Sequence, residues 1–324
     1  MPPLPESLTA AFTVVFPVSG VAANILVPPL VALVISFFTS MGGVSGAFLL
    51  LPFQMSVLNY TAPSVSGTNH VFNVVAIPSG VCRYIKEGRM AWPLTWVIVA
   101  GTLPGVFLGY YLRVYYLPDP QSFKFFVGLV LLYIGVKLLK EFVGMPGKRP
   151  PAAGTAGAKV SAKTAGLPSD AVVRTTAVSP KRIEYEFRGE RFAFSTVSMF
   201  VLALAVGIVG GAYGIGGGSI IAPFCVAVFH LPVYTIAGAA LMGTFITSAA
   251  GALFFSLIPS SGGVPTMPDW PLGILFGIGG FIGMYLGARA QKFVPQRAIK
   301  LMLGIVIVFL ALGYIFPFIL HLFG

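Results

Sequence analysis

The sequence is short of charge. Only 9% of its 324 residues are Asp, Glu, Lys or Arg, against about 25% in soluble domains. Hydrophobic residues make up 56% and mean hydropathy is +0.91. So little polar surface cannot cover a water-soluble globule of this size, so most of the chain is solvated by lipid. Acidic residues are scarcest, at nine. Glu6, Glu87, Asp119, Glu141, Asp170, Glu184, Glu186, Glu190 and Asp269 all fall in loops or at the ends of apolar runs. A carboxylate-lined cation path or proton relay needs acids at membrane depth, and that pattern is missing. Cysteine is nearly absent too. Cys82 and Cys225 lie in or near apolar segments and read as small packing residues, not a disulfide or metal pair. No pattern calls for a cofactor, a metal or a catalytic group. The net charge of +11 does not indicate nucleic acid, because Lys and Arg cluster at the ends of apolar runs and in one linker, the positive-inside pattern. The N-terminus lacks the basic region of a cleavable signal.

What is present is a series of apolar segments near the 20 or so residues that a bilayer core requires. Five lie near 9–40, 44–60, 64–85, 92–117 and 121–143, and five near 193–213, 215–231, 235–258, 270–290 and 298–322. The second of each set is short and follows a glycine cluster, so it is a half-helix or a broken span. These boundaries divide the chain into a membrane unit at 1–143, a basic linker at 144–192 and a second membrane unit at 193–324. Residues 144–180 are rich in Ala, Gly, Pro, Ser, Thr and Lys without an aromatic residue, a composition expected to be flexible. The alternation from Tyr185 to Phe192 around Arg188-Gly189 fits either a small surface β-hairpin or an irregular lead-in.

The two units are related. Gly43, Gly46, Pro52, Phe53, Gly67 and Gly80 recur 171 positions later as Gly214, Gly217, Pro223, Phe224, Gly238 and Gly251. Further on the offset is 178: Trp92-Pro93-Leu94 matches Trp270-Pro271-Leu272, and Gly101, Gly105 and Gly109 match Gly279, Gly283 and Gly287. Basic residues switch sides between the copies. Arg83, Lys86 and Arg89 follow the third segment of the first unit, whereas 259–269 has no Lys or Arg. One loop on, the bias reverses, with Arg289, Lys292, Arg297 and Lys300 in the second unit. Equivalent loops therefore fall on opposite sides. The expected fold is an all-α polytopic membrane protein of two inverted-topology repeats, about five hydrophobic segments each, with short or broken helices at the glycine motifs. Five crossings per half satisfy these assignments and place the linker in the cytoplasm.

With no mid-membrane charge, chemistry falls to the backbone. Gly43, Ser45 and Gly46 in the first unit, and Gly214, Gly216, Gly217, Gly218 and Ser219 in the second, each precede a short helix. A helix N-terminus carries free N–H donors and partial positive charge. Two such ends could face one small oxyanion. Close helix packing is the competing reading; we favour it for scattered glycines such as Gly101 and Gly283, and backbone breakage for Gly214–Gly218. Asn69 and Asn73 share a helical face, with His70 beside it as a group able to sense or carry a proton. Thr244 lies in the counterpart segment. His230 and His321 sit at segment ends and read as interfacial. The pattern Gly43-Val44-Ser45-Gly46 also fits the serine motif of an intramembrane protease with His70 as base, a weaker reading because Gly216 replaces the serine in the other copy.

The run Gly210-Gly211-Ala212-Tyr213-Gly214-Ile215-Gly216-Gly217-Gly218-Ser219-Ile220-Ile221-Ala222-Pro223 resembles the signature of the TauE/SafE sulfite exporter family. The resemblance covers 9–322 except the linker. It implies a multi-pass permease of the inner (plasma) membrane that exports sulfite, sulfoacetate or another small sulfur-containing anion, and is not an enzyme. The expected partners are that anion and the bilayer, with no nucleic acid; a homo-oligomer is compatible. A passive anion channel is the alternative transport reading. The first copy is degenerate, with Gly42, Ser45 and Ala47 in place of Tyr213, Gly216 and Gly218.

Overall fold

The structure, a computed structural model, describes residues 12–41, 45–86, 88, 90–143, 173–187, 189–229, 231, 233–258, 265–290 and 296–323. The linker expectation for 144–172, together with Gly43, Arg89, His230 and Lys292, lies outside the described residues. The membrane part is helical: α1 (Val27–Met41), α2 (Ala47–Ser56), α3 (Ser64–Ala76), α4 (Pro78–Lys86), α5 (Trp92–Tyr111), α6 (Pro120–Val143), α7 (Thr196–Tyr213), α8 (Gly218–Ala227), α9 (Val233–Leu257), α10 (Trp270–Ala290) and α11 (Gln296–Phe323). Among the described residues, five helical stretches are long and apolar enough to cross a membrane. Large apolar side chains face outward along them, including Phe309 at 77% exposure. A surface of this kind is solvated by acyl chains.

Four local departures from the sequence expectation have physical causes. The first segment is not one helix from residue 9. Strands β1 (Thr13–Val15) and β2 (Ala22–Asn24) form an antiparallel pair, and α1 starts only at Val27, with Pro28 and Pro29 in its first turn, where no intrahelical N–H is needed. The hairpin turn is pinned by Asp269, whose Oδ2 accepts from Ser19 N–H (2.9 Å), Ser19 Oγ–H (2.8 Å) and Val18 N–H (3.3 Å). The third segment is broken after Ala76, where Pro78 opens α4. Residues 174–178, expected within the linker, form β3 (Arg174–Val178), which pairs with β4 (Arg182–Phe187), itself paired with β5 (Glu190–Ser195). Gly189 turns from β4 to β5 with φ of 76°. Finally, Arg113 is fully buried. It follows α5 in a π-helical turn (Leu112–Tyr116), donates to the Thr61 carbonyl at 2.8 Å and to the Leu117 carbonyl, and lies 3.6 Å over the Phe123 ring. Carbonyls and a π face take the place of a carboxylate.

Asp269→Ala should free the hairpin. Three half-buried donors lose their acceptor, each hydrogen bond being worth about 1 kcal/mol or somewhat more to a charged group. Amide hydrogen exchange across residues 12–24 should accelerate at least tenfold; unchanged exchange would show that the carboxylate is dispensable.

The loops sort into two ends of the bundle. At one end Val173 N–H donates to the Gly88 carbonyl and the Tyr185 hydroxyl meets Thr235 Oγ1 at 2.8 Å. At the other, Ser64 N–H donates to the Pro265 carbonyl, Arg113 to Thr61, Ser19 to Asp269, and Tyr110 OH to the Ile258 carbonyl at 2.7 Å. The pair α1–α2 starts near Ser19 and ends near Thr61, at that second end on both occasions. The pair α7–α8 starts at β5 and ends near Thr235, at the first end. Each pair thus returns to its own end, as two successive segments of a five-segment half require, and α2 and α8, ten residues each, are about half the length of a full crossing.

Helix α1 packs along α10 and α5 along α7. The contacts are so close that only glycine fits. A β-carbon at Gly279, Gly283 or Gly287 would collide with the carbonyls of Pro29, Leu33 and Phe37 in turn. One at Gly101, Gly105 or Gly109 would meet those of Phe200, Leu204 and Ile208. Backbone approach of this kind holds helices together in lipid, where no hydrophobic force does. Helix α6 packs along α11, and α3 lies between α9 and α10.

Candidate functional site

The second glycine cluster is a broken backbone. Helix α7 stops at Tyr213 because Gly214 (φ 86°) and Gly216 (φ 68°) take left-handed conformations that L side chains avoid. The Gly210 carbonyl accepts the N–H groups of Gly214, Ile215 and Gly216 at 2.9, 3.0 and 3.3 Å, closing the helix end. Helix α8 then begins, and its first intrahelical bond runs from Ile221 N–H to the Gly217 carbonyl. The N–H groups of Gly217, Gly218, Ser219 and Ile220 precede that bond and have no intrahelical acceptor. Space is tight: a β-carbon at Gly217 would strike the Thr102 methyl, one at Gly218 the Ala240 carbonyl, and one at Gly216 would sit 2.9 Å from both Ser248 Oγ and the Thr244 methyl. The Thr244 hydroxyl itself donates to the Ala240 carbonyl at 2.9 Å, so this side chain lines the cluster.

In the first half, Ser45 and Gly46 lead into α2. Leu50 N–H bonds to the Gly46 carbonyl at 3.0 Å, and a β-carbon at Gly46 would lie 2.7 Å from Ser36 Oγ. The Ser45 hydroxyl donates to Asn73 Oδ1 at 2.8 Å and accepts Ala47 N–H at 3.3 Å.

Helix α3 joins the two clusters. Asn73 receives Ser45 on one side and donates through Nδ2 to Ser248 Oγ at 3.2 Å on the other, and Ser248 abuts Gly216. Asn69, one turn back, donates to the Ala47 carbonyl at 3.0 Å. The Ser66 hydroxyl donates to the Ala212 carbonyl at 2.8 Å, and Tyr213 OH donates to the Phe48 carbonyl of α2 at 2.7 Å. His70 faces away from the asparagines. Its Nε2 lies 3.4 Å from the Gly211 carbonyl and its ring 6.0 Å from that of Phe255. All of these side chains are buried. The candidates Ser45, Gly46, Asn69, His70, Asn73, Gly214, Gly216, Gly217, Gly218 and Thr244 thus gather around α3, with Ser219 on the first turn of α8. Ser45 gives its proton to Asn73 and His70 points to α7, so the protease dyad does not form.

Three residues of this network escaped the sequence reading: Gln54, Ser248 and Thr102. Gln54 Nε2 donates to Asn69 Oδ1 at 3.4 Å, while its buried Oε1 has no partner. It is the lone polar side chain in the run 47–55, which was the available signal.

The family described as "Sulfite exporter TauE/SafE" matches residues 29–314. The chain belongs to that family. The match runs from the first turn of α1 into α11, and takes in both glycine clusters and α3. As a TauE/SafE member the protein is a multi-pass membrane transporter, not an enzyme. A similar protein is the "Probable membrane transporter protein YunE" of Bacillus subtilis (strain 168), 22% identical over 286 residues, covering 86% of this chain and 92% of that one. No solved structure matches. The buried polar network of this TauE/SafE member lies within the matched residues.

Proposed function

We propose that this TauE/SafE transporter is a secondary carrier that exports a small sulfur-containing anion, such as sulfite, sulfoacetate or a related sulfonate, across the inner membrane by alternating access. The anion is held between the N-termini of α2 and α8. The carrying observation is the short path Ser45–Asn73–Ser248–Gly216, which brings the starts of α2 and α8 to one helix. Anion binding at helix N-termini needs only N–H groups and dipoles, and a neutral site releases its ligand readily.

Inverted repeats are the scaffold of this reading. The pairs α1–α2 and α7–α8 enter from opposite ends. The glycine contacts support the same relation, since Gly279, Gly283 and Gly287 meet Pro29, Leu33 and Phe37, while Gly101, Gly105 and Gly109 meet Phe200, Leu204 and Ile208. The partners in the two sets differ by the offsets of 178 and 171 found in the sequence. In this reading each half supplies one re-entrant pair and three crossings. The end bearing Arg83, Lys86 and strands β3–β5 is cytoplasmic by the positive-inside rule. Carriers of this plan bind substrate at discontinuous helices near the bilayer midplane.

Counterflow in proteoliposomes tests it. Labelled sulfite, thiosulfate, sulfate and sulfoacetate should include at least one anion that exchanges against its unlabelled form with saturating kinetics. Flux that does not saturate would favour a channel, and no exchange of any of the four would overturn the substrate class.

A further inference from the structure

His70 is a buried base with one nitrogen committed and one idle. Gly211 O is an acceptor, so the nitrogen facing it, Nε2, carries the ring proton. That leaves Nδ1 as a bare lone pair, and this atom is buried without a hydrogen-bond partner. The unpaired Nδ1 can take a proton without breaking the Nε2 contact to Gly211. Room for the ring has been left on purpose: a β-carbon at Gly251 of α9 would sit 2.7 Å from the imidazole. Gly211 belongs to the last turn of α7, one residue after the carbonyl that closes the broken backbone of Gly214–Gly216. A charge on His70 would therefore arise directly behind the second glycine cluster.

The groups around it leave the role to His70. On α7 the nearest titratable side chain is Tyr213, whose hydroxyl is spent on Phe48 O. On α9 the ring meets Gly251 and Phe255, neither of which titrates. On α5 the Tyr110 ring packs against Phe255 at 4.9 Å and its hydroxyl bonds to Ile258 O. On α2 Gln54 is neutral. At the outer end of α3, Asp269 turns its carboxylate to Ser19 and meets the helix through its own N–H on Thr68 Oγ1 (2.9 Å). Thr68 leads on to Tyr60 at 3.1 Å, and Arg113 is tied to Thr61.

We infer that His70 carries the coupling proton of this transporter, so that anion and proton move together. The inference rests on the anion reading above. One proton adds to Nδ1 and converts imidazole to imidazolium, while Nε2–H stays on Gly211 O; no bond to the anion forms or breaks. The cation strengthens anion binding at the adjacent glycine backbone, and the bound anion in turn holds the proton, a reciprocal linkage. Release of the anion lets the proton go on the same side.

The test uses labelled sulfoacetate, whose own charge does not change between about pH 6 and pH 8, in proteoliposomes of the full chain. Two quantities are read: counterflow without a pH gradient, and uptake with the interior alkaline. An internal pH dye follows protons. Each protein's gradient response is divided by its own counterflow, so that a general loss of activity cancels. The wild type should show a severalfold stimulation with acidification of the interior during anion entry. In His70→Gln, and in His70→Asn as a second variant, that ratio should fall to about one, with no proton movement. A variant that keeps the wild-type ratio overturns the proposal. So does wild-type counterflow with no gradient response and no proton movement. Absence of wild-type counterflow with sulfoacetate and with sulfite, thiosulfate and sulfate as well would instead bring down the anion reading itself.

Discussion

Replacing Gly217 with leucine is expected to lower anion flux by about 100-fold while the protein remains in the membrane. The position allows no β-carbon, because one would strike the Thr102 methyl on α5. The side chain must push the start of α8 away from α5, and with it the N–H groups that precede the Ile221–Gly217 bond. Misplacing binding groups by about 1 Å can cost 10²-fold in rate. Insertion should survive, since leucine is among the residues most easily inserted. Counterflow per mole of membrane-extracted protein measures the effect. A variant within threefold of the wild type would mean that the cluster is only a packing device.

The second large effect should fall on stability. Gly283 of α10 lies against the Leu33 carbonyl of α1, and Gly105 of α5 against the Leu204 carbonyl of α7. Backbone cannot yield as a flexible side chain can. Leucine at either position should part the helix pair at a cost on the order of 3 kcal/mol, the upper end for overpacking. The expected result is poor recovery of monodisperse protein and a melting temperature lowered by several degrees for both variants, by similar amounts because the contacts are equivalent. Unchanged melting would contradict the close approach. Together the two substitutions separate glycines that shape a binding backbone from glycines that let helices touch.

Much of this was legible in the residues. Apolar runs and the charge deficit reveal a membrane protein, because water and lipid sort residues by composition alone. The glycine run led to the broken turn after α7, since few other residues tolerate the φ of Gly214 and Gly216. Polar Asn69, His70 and Asn73 stood out in an apolar helix. How deep α2 and α8 reach into the bilayer was not legible: hydropathy reports that a segment is lipid-compatible, not how far across it goes. The β1–β2 hairpin was hidden for a similar reason, as its register depends on Asp269, 250 residues away from Ser19. Ser248 was passed over because one serine in an apolar helix signals nothing until Asn73 is seen beside it.

The most direct measurement is a cryo-electron-microscopy structure of the protein with sulfite bound. The account predicts density for a small anion between the starts of α2 and α8, within hydrogen-bond distance of backbone N–H groups from Gly46–Phe48 and Gly217–Ser219. An anion seated elsewhere, for instance against Arg113 at the outer end with the two glycine turns empty, would contradict it.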